Sequence, residues 1–260
     1  MTVRPPVFDA LAADYDTTFT DTVLGRTYRA AVWRRLASTL TGTGTVLELN
    51  CGTGADTVWL ARRGHRVHAT DVSPAMVQRT RAAAARRGVG SHVTTEVLAL
   101  EDLARVHRPP HGFDAALSDF GGLNCVRDPG AVLVALAAVL RPGARAVLVV
   151  MGRIVPWEWA WYLMHGDGRR AVRRLRRRPH WRGQPLCYPG VRAWCRMAGV
   201  GFRVERVAAL GSLLPPPYAE PWAARHPRVV DRLDRCERRI ETNPVVVRTA
   251  DHLMLELVRR

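Results

Sequence analysis

The sequence predicts an α/β fold, a seven-stranded and mostly parallel sheet with helices on both faces, and three observations carry that expectation. Apolar runs alternate with helix-period segments through five repeats between Thr45 and Met151, the rhythm of βα units feeding a parallel sheet. Ala144 to Met151 is almost unbroken in its apolar character, as a strand covered on both faces must be. Two later apolar runs, Phe202 to Leu210 and His252 to Val258, bring the strand count to seven.

In chain order, Phe8 to Asp16 has short helical periodicity, and Arg26 to Leu40 sets Tyr28, Ala31, Val32, Arg35 and Leu36 near one helix face. Val46-Leu47-Glu48-Leu49 is the first strand. It enters a turn carrying Gly52 and Gly54, a helix starts near Ala55, and the second strand, Val67 to Thr70, ends at Asp71. Ser73 caps a helix running from Pro74 to about Arg87, with Pro in the tolerated first turn. His92 to Val97 is the third strand and Gly112 to Ser118 the fourth. Asp128-Pro129 opens a helix to about Leu140, which Arg141-Pro142-Gly143 closes.

The strand–glycine turn–helix–strand–acid unit from Thr45 to Asp71 reads as a nucleoside site. Glycines let the backbone approach a ligand, the helix start presents free N–H groups, and an acid ending the second strand accepts hydrogen bonds from a ribose diol. A dinucleotide fingerprint would place a small residue where Thr57 stands. Glu48, four residues before Gly52, is also unsuited to a pyrophosphate and suits a cationic ligand.

Glu48-Leu49-Asn50-Cys51-Gly52-Thr53-Gly54 resembles the ExxxGxG motif of class I S-adenosylmethionine (SAM) methyltransferases, whose fold is Rossmann-like. The resemblance implies SAM as cofactor and S-adenosylhomocysteine as product. It makes Glu48, Asn50, Cys51, Gly52 and Gly54 donor-site residues, with Asn50 where relatives often keep Gly or Ala, and it makes Asp71 the ribose-binding acid. Phe8 to Asp16 is similar to the family's FDxxAxxYD segment, so Tyr15 inherits a place over the methionine carboxylate, or else packs this segment onto the core. Val72 and Met76 border the adenosine, Met76 having a core role as its alternative. Leu100, Asp102 and Leu103 match the place where an acid meets the adenine amino group, although Asp102 can equally cap a helix. Ser118 ends the fourth strand on the donor side, and the following loop, Asp119 to Cys125 with Asn124 on the acceptor side, faces the reactive methyl.

After Met151 the resemblance continues only as strand pattern. The organisation expected is a SAM-binding core with its N-terminal helices over 1–151, a helical Trp- and Arg-rich cap over 152–186, and a completion of the core over 187–260 with a substrate-side insertion at 211–248. Trp157, Trp161 and Tyr162 in the cap and Tyr218 in the insertion are candidate acceptor-binding residues. Eight arginines lie between Arg169 and Arg182. They can grip an anionic acceptor, a nucleic acid or a membrane surface, or form the solvent face of an amphipathic helix. Candidates for a general base are His165, His180 and Asp119, the last having lining of the donor site as its alternative.

Composition narrows the function classes. No apolar run reaches the roughly 18 residues of a membrane span, and the N-terminus lacks the apolar core of a signal peptide, so a cytoplasmic enzyme is expected. Five cysteines without CxxC or zinc-type spacing predict no metal. The net charge is +16, yet every basic residue is Arg, with no Lys in the chain. That bias weakens the charge as a sign of a polyanion partner. The reading is a SAM-dependent methyltransferase acting at oxygen or nitrogen of a small molecule, anionic or aromatic, in secondary metabolism. Its alternatives are an RNA methyltransferase, which the absence of Asn-Pro-Pro-Tyr after the fourth strand disfavours for base amino groups, and a non-methylating binding protein or cyclase.

Overall fold

A computed structural model describes residues 7–176 and 179–260. Helix α1 (Val23–Thr39) leads into β1 (Thr45–Leu49), α2 (Ala55–Ala61), β2 (Arg66–Asp71), α3 (Pro74–Arg86), β3 (Val93–Val97), β4 (Phe113–Ser118), α4 (Pro129–Val139) and β5 (Leu140–Met151). The cap follows as α5 (Pro156–Met164), the short α6 (Gly168–Ala171) and a hairpin of β6 (His180–Trp181) and β7 (Gln184–Pro185). Then come α7 (Val191–Ala198), β8 (Phe202–Leu210), α8 (Glu220–Arg225), α9 (Pro227–Ile240), α10 (Pro244–Arg248) and β9 (His252–Arg259).

The sheet has seven strands in the order β3-β2-β1-β4-β5-β9-β8. Its first five strands are mutually parallel, and β9 runs antiparallel to both β5 and β8. Strand alternation separates two apolar layers: Leu47 and Leu49 join α4, Phe113, Trp194 and Phe202 on one face, while Val46 joins Tyr28, Val32, Leu60 and Val67 on the other. Glu48 shares the Val46 face and therefore points toward α2.

Local sequence explains most boundaries. Ser73 Oγ accepts from Met76 N (3.1 Å) and Asp128 Oδ1 from Ala131 N (3.0 Å), each preceding a proline in the first turn. Three boundaries differ from expectation. Helix α1 starts at Val23, earlier than Arg26, because Thr22 caps it and Glu220 of α8 accepts from Val23 N (2.8 Å) and Leu24 N (3.0 Å). The Arg141-Pro142-Gly143 turn lies inside β5, which pairs Leu140 with Phe113 and then breaks register. The cap is helical only to Leu175. Arg182 and Gly183 both have positive φ (51° and 83°), the backbone of a tight hairpin turn, and give β6 and β7. Arg177 and Arg178 of the arginine run lie outside the described residues.

The segment between β8 and β9 is tied to the core. Glu237 of α9 accepts from Gly211 N (2.7 Å), Leu213 N (2.7 Å) and Leu214 N (3.2 Å), holding the turn that leads to Tyr218.

Candidate active site

Strand order reverses between β1 and β4, and an open α/β sheet has its crevice at the carboxyl ends of such strands. Leu49 and Ser118 are in register there, so the next residues on each chain segment meet. Asn50 Nδ2 donates to Asp119 O (2.7 Å), and Ser118 Oγ donates to Asn50 Oδ1 (2.7 Å). Asn50 has φ of 49°, a left-handed conformation that Asn tolerates better than most side chains. Gly54, at φ of 87°, also leaves no room for a Cβ, which would stand 2.8 Å from Thr80 Cα. Asp71 closes the turn from the other side, accepting from Gly52 N (3.0 Å) and Ser73 N (2.9 Å). Burial pushes its carboxyl up from the ordinary value, against the pull of these two bonds.

These loops open on a cavity of about 690 Å³. Of the residues singled out from the sequence, Tyr15, Asn50, Cys51, Gly52, Asp71, Val72, Met76, Leu100, Asp119, His180 and Tyr218 line it. Others lie a layer behind. Glu48 is buried and accepts a short hydrogen bond from Thr57 Oγ1; Leu103 is in the core. Asn124 is a bracket, its amide bonding Met151 N (2.7 Å) and Cys187 O (2.7 Å). Trp161 and Tyr162 back Tyr218, with ring centroids 5.6 and 5.1 Å away.

Three residues are placed away from the cavity. Asp102 is exposed beside Arg105 (3.7 Å), and its turn presents Glu101 to the cavity instead. Trp157 is more than a third exposed on the cap. His165 is exposed, stacked on Trp161 and bonded through Nδ1 to Trp161 O (2.7 Å).

The methionine side of the expected donor site is rich in charge. Arg29 pairs closely with Asp56, whose other oxygen accepts from Trp33 Nε1 (2.6 Å), and Asp119 Oδ2 is 3.9 Å from the same guanidinium. Asp119 Oδ1 accepts from Phe120 N (2.8 Å), while Oδ2 is buried without a hydrogen bond. Burial, then the Asp56 charge, pushes the Asp119 carboxyl well up. Burial likewise raises the Tyr15 hydroxyl to about 12, with Arg29 opposing.

Another part of the cavity wall is aromatic. Phe8 and Trp181 (6.1 Å between centroids) face it with Leu186, Tyr188, Tyr218 and His252. Two cap arginines reach it, and both are neutralised. Arg173 makes a bidentate pair with Glu158 (2.9 and 3.0 Å). Arg174 is buried, donating to Glu158 Oε2 (2.9 Å), Gly152 O (3.0 Å), Asp251 O (3.1 Å) and Asp251 Oδ1 (2.6 Å).

The sequence reading did not single out Arg29, Asp56, Glu101, Trp181, Tyr188, Asp251 or His252. Asp251-His252, an acid and a base immediately before the last apolar run, was the one local signal available. Which sheet edge that run begins on is not a local property.

A sheet of this order, a glycine turn after β1 and an acid ending β2 together define a class I SAM-dependent methyltransferase. The residues present fit the donor. Asp71, and Asp119 with its unbonded oxygen, give the wall a carboxylate character suited to a ligand carrying sulfonium and ammonium groups. A family model described as a methyltransferase domain matches residues 46–143. The chain is 30% identical to the ubiquinone biosynthesis O-methyltransferase of Xylella fastidiosa (strain 9a5c) over 73% of its own length and 70% of that protein. It is 32% identical to the tRNA 5-carboxymethoxyuridine methyltransferase of Escherichia coli (strain K12) over 52% of each. The geranyl diphosphate C-methyltransferase of Streptomyces coelicolor A3(2), solved with S-adenosylhomocysteine, shares the fold at a TM-score of 0.60 and 15% identity, covering 89% of this chain and 76% of that one. The chain belongs to the class I SAM-dependent methyltransferases, and its cofactor is SAM.

Proposed function

We propose that the chain transfers the methyl group of SAM to an oxygen or nitrogen atom of a small aromatic molecule. The observation that carries this reading is one continuous cavity running from the glycine turn and Asp71 to the aromatic wall of Phe8, Trp181, Tyr188 and Tyr218. Asp71 takes the ribose hydroxyls, Val72, Met76 and Leu100 border the adenine, and Tyr15 and Asp119 stand at the methionine end. SAM supplies a methyl carbon already activated by its sulfonium, so alignment of the acceptor is the protein's main contribution, with an effect of up to about 7–11 kcal/mol in favourable cases. The pairing of Arg173 and Arg174 with Glu158 and Asp251 favours a neutral aromatic acceptor over an anionic one, because a carboxylate or phosphate would have to displace buried partners.

The test is S-adenosylhomocysteine formation from SAM with a panel of phenols, aromatic amines, aromatic carboxylic acids and bulk tRNA. Turnover of phenols or amines is expected. Turnover confined to tRNA, with binding that weakens steeply in salt, would replace this reading with an RNA methyltransferase.

A further inference from the structure

Strand β9 runs opposite to β5 and so begins at the edge where the parallel strands end. Its first residue, His252, is in register with Met151 on one side and Leu210 on the other. The imidazole is only 7% exposed and sits in the cavity wall, edge-on to Phe120 of the loop after β4 (5.8 Å) and to Tyr28 of α1 (5.9 Å). Nδ1 is buried 3.0 Å from Asp251 Oδ2, off the N–H axis. Contacts of this kind commonly tighten once substrate is in place. The other Asp251 oxygen is held by Arg174, so the carboxylate is pinned behind the ring. Nε2 makes no hydrogen bond among the described residues, and His252 lines the cavity.

We propose that His252, oriented by Asp251, is the general base that takes the proton of the methyl acceptor. This rests on the methyltransferase reading above. The acceptor O–H or N–H bond breaks with its electron pair left on the heteroatom and its proton on Nε2, and Asp251 offsets the imidazolium charge. The heteroatom pair forms the new bond to the methyl carbon, the pair of the old bond leaves on sulfur, and the proton passes to solvent. The other groups on the wall are poorly suited to the task. Burial holds the Tyr15 and Tyr218 hydroxyls up, and Asp119 is turned toward Arg29 (3.9 Å) at the donor end. Asp251 itself is held well below the ordinary carboxylate range by Arg174 and then His252, which overcome its burial, so it remains the counter-charge. His180 is on the exposed cap hairpin.

The charged and titratable groups around His252 are Asp251, Arg174 and Glu158 from the cap, Tyr28 from α1, Tyr218, and Glu237 of α9. The test uses full-length His252→Asn, His252→Gln and Asp251→Asn. S-adenosylhomocysteine affinity, by calorimetry, is expected within about twofold of wild type in all three. With the best phenol of the panel, kcat should fall about 10²–10⁴-fold in the His252 variants, and the rise of activity with pH on the acid side should vanish. Asp251→Asn should lose less and shift that rise to lower pH. A second readout is independent of turnover: 4-nitrocatechol added to the S-adenosylhomocysteine complex should show phenolate absorbance at a pH where it is un-ionised in solution, and not in His252→Gln. Failure of wild type to bind S-adenosylhomocysteine would remove the methyltransferase reading itself. Wild-type-like kcat and pH profile in the His252 variants, equal loss of cofactor binding and kcat, or no nitrocatechol ionisation in wild type would each overturn the base assignment.

Discussion

Asp71 serves the fold and, under the proposed donor assignment, the ligand as well. Its carboxylate already holds Gly52 N and Ser73 N, so the turn is shaped before a ribose arrives. Asp71→Ala should weaken S-adenosylhomocysteine binding by about 1–3 kcal/mol while leaving a folded chain, measured by calorimetry; unchanged affinity would deny it the ribose role. Glu48 was equally visible in the motif, but its direction was not. It turns to Thr57 on α2, and burial pushes its carboxyl well up. An acid raised in this way stabilises the fold while protonated, fully so below its unfolded-state pKa, and loses that contribution as pH rises through the folded-state value. Glu48→Gln keeps an oxygen to accept from Thr57 and cannot ionise. The melting temperature of the variant relative to wild type should therefore climb from mildly acidic to neutral pH. A difference that stays flat with pH would mean Glu48 is ionised in the fold. At this scale the donor residues were legible because they sit at fixed offsets within two strand–turn–helix units, Thr45 to Met76. Asp102 was misplaced because a 3-10 turn rotates side chains by about 120° per residue, bringing Glu101 to the cavity.

The cap element sorts residues that look identical in sequence. Arg169 and Arg170 are exposed, whereas Arg174 is buried between Glu158, which is 1% exposed, and Asp251. From the sequence, these arginines could grip an anionic acceptor, a nucleic acid or a membrane surface, or form the solvent face of an amphipathic helix. The structure instead buries Glu158 of α5, and that acid draws Arg173 and Arg174 inward. Arg174→Met should destabilise the fold by about 3–5 kcal/mol, since it leaves the buried Asp251 carboxylate without its arginine and takes one of two arginines from Glu158. Arg169→Gln with Arg170→Gln should change stability by less than about 0.5 kcal/mol. Thermal or denaturant unfolding of the two variants separates these outcomes, and equal effects would mean that Arg174 does not bridge Glu158 and Asp251. Arg174 and Asp251 are 77 positions apart, too far for spacing along the chain to reveal their pairing.

Across the whole molecule, the proposed donor and acceptor sites share one cavity whose walls include residues from near both ends of the described chain, so occupancy should stiffen the entire fold. S-adenosylhomocysteine at about 100 times its Kd should add about 2.7 kcal/mol of stability, read as a rise in melting temperature that grows with ligand concentration; an unchanged melting temperature would count against the donor site. The net charge of +16 should also give tRNA a weak, salt-labile association independent of turnover. The sequence by itself determined the class of sheet and the cofactor, because glycine turn, capping serine and strand-ending acid are placed by local geometry. Tertiary structure alone decided the aromatic part of the cavity wall. Phe8, Trp181, Tyr218 and His252 converge there only because β9 enters the sheet antiparallel between β5 and β8 and the cap folds back onto it. Contacts of that kind depend on sheet order and on buried ion pairing between distant segments, and neither leaves a periodic mark on the chain.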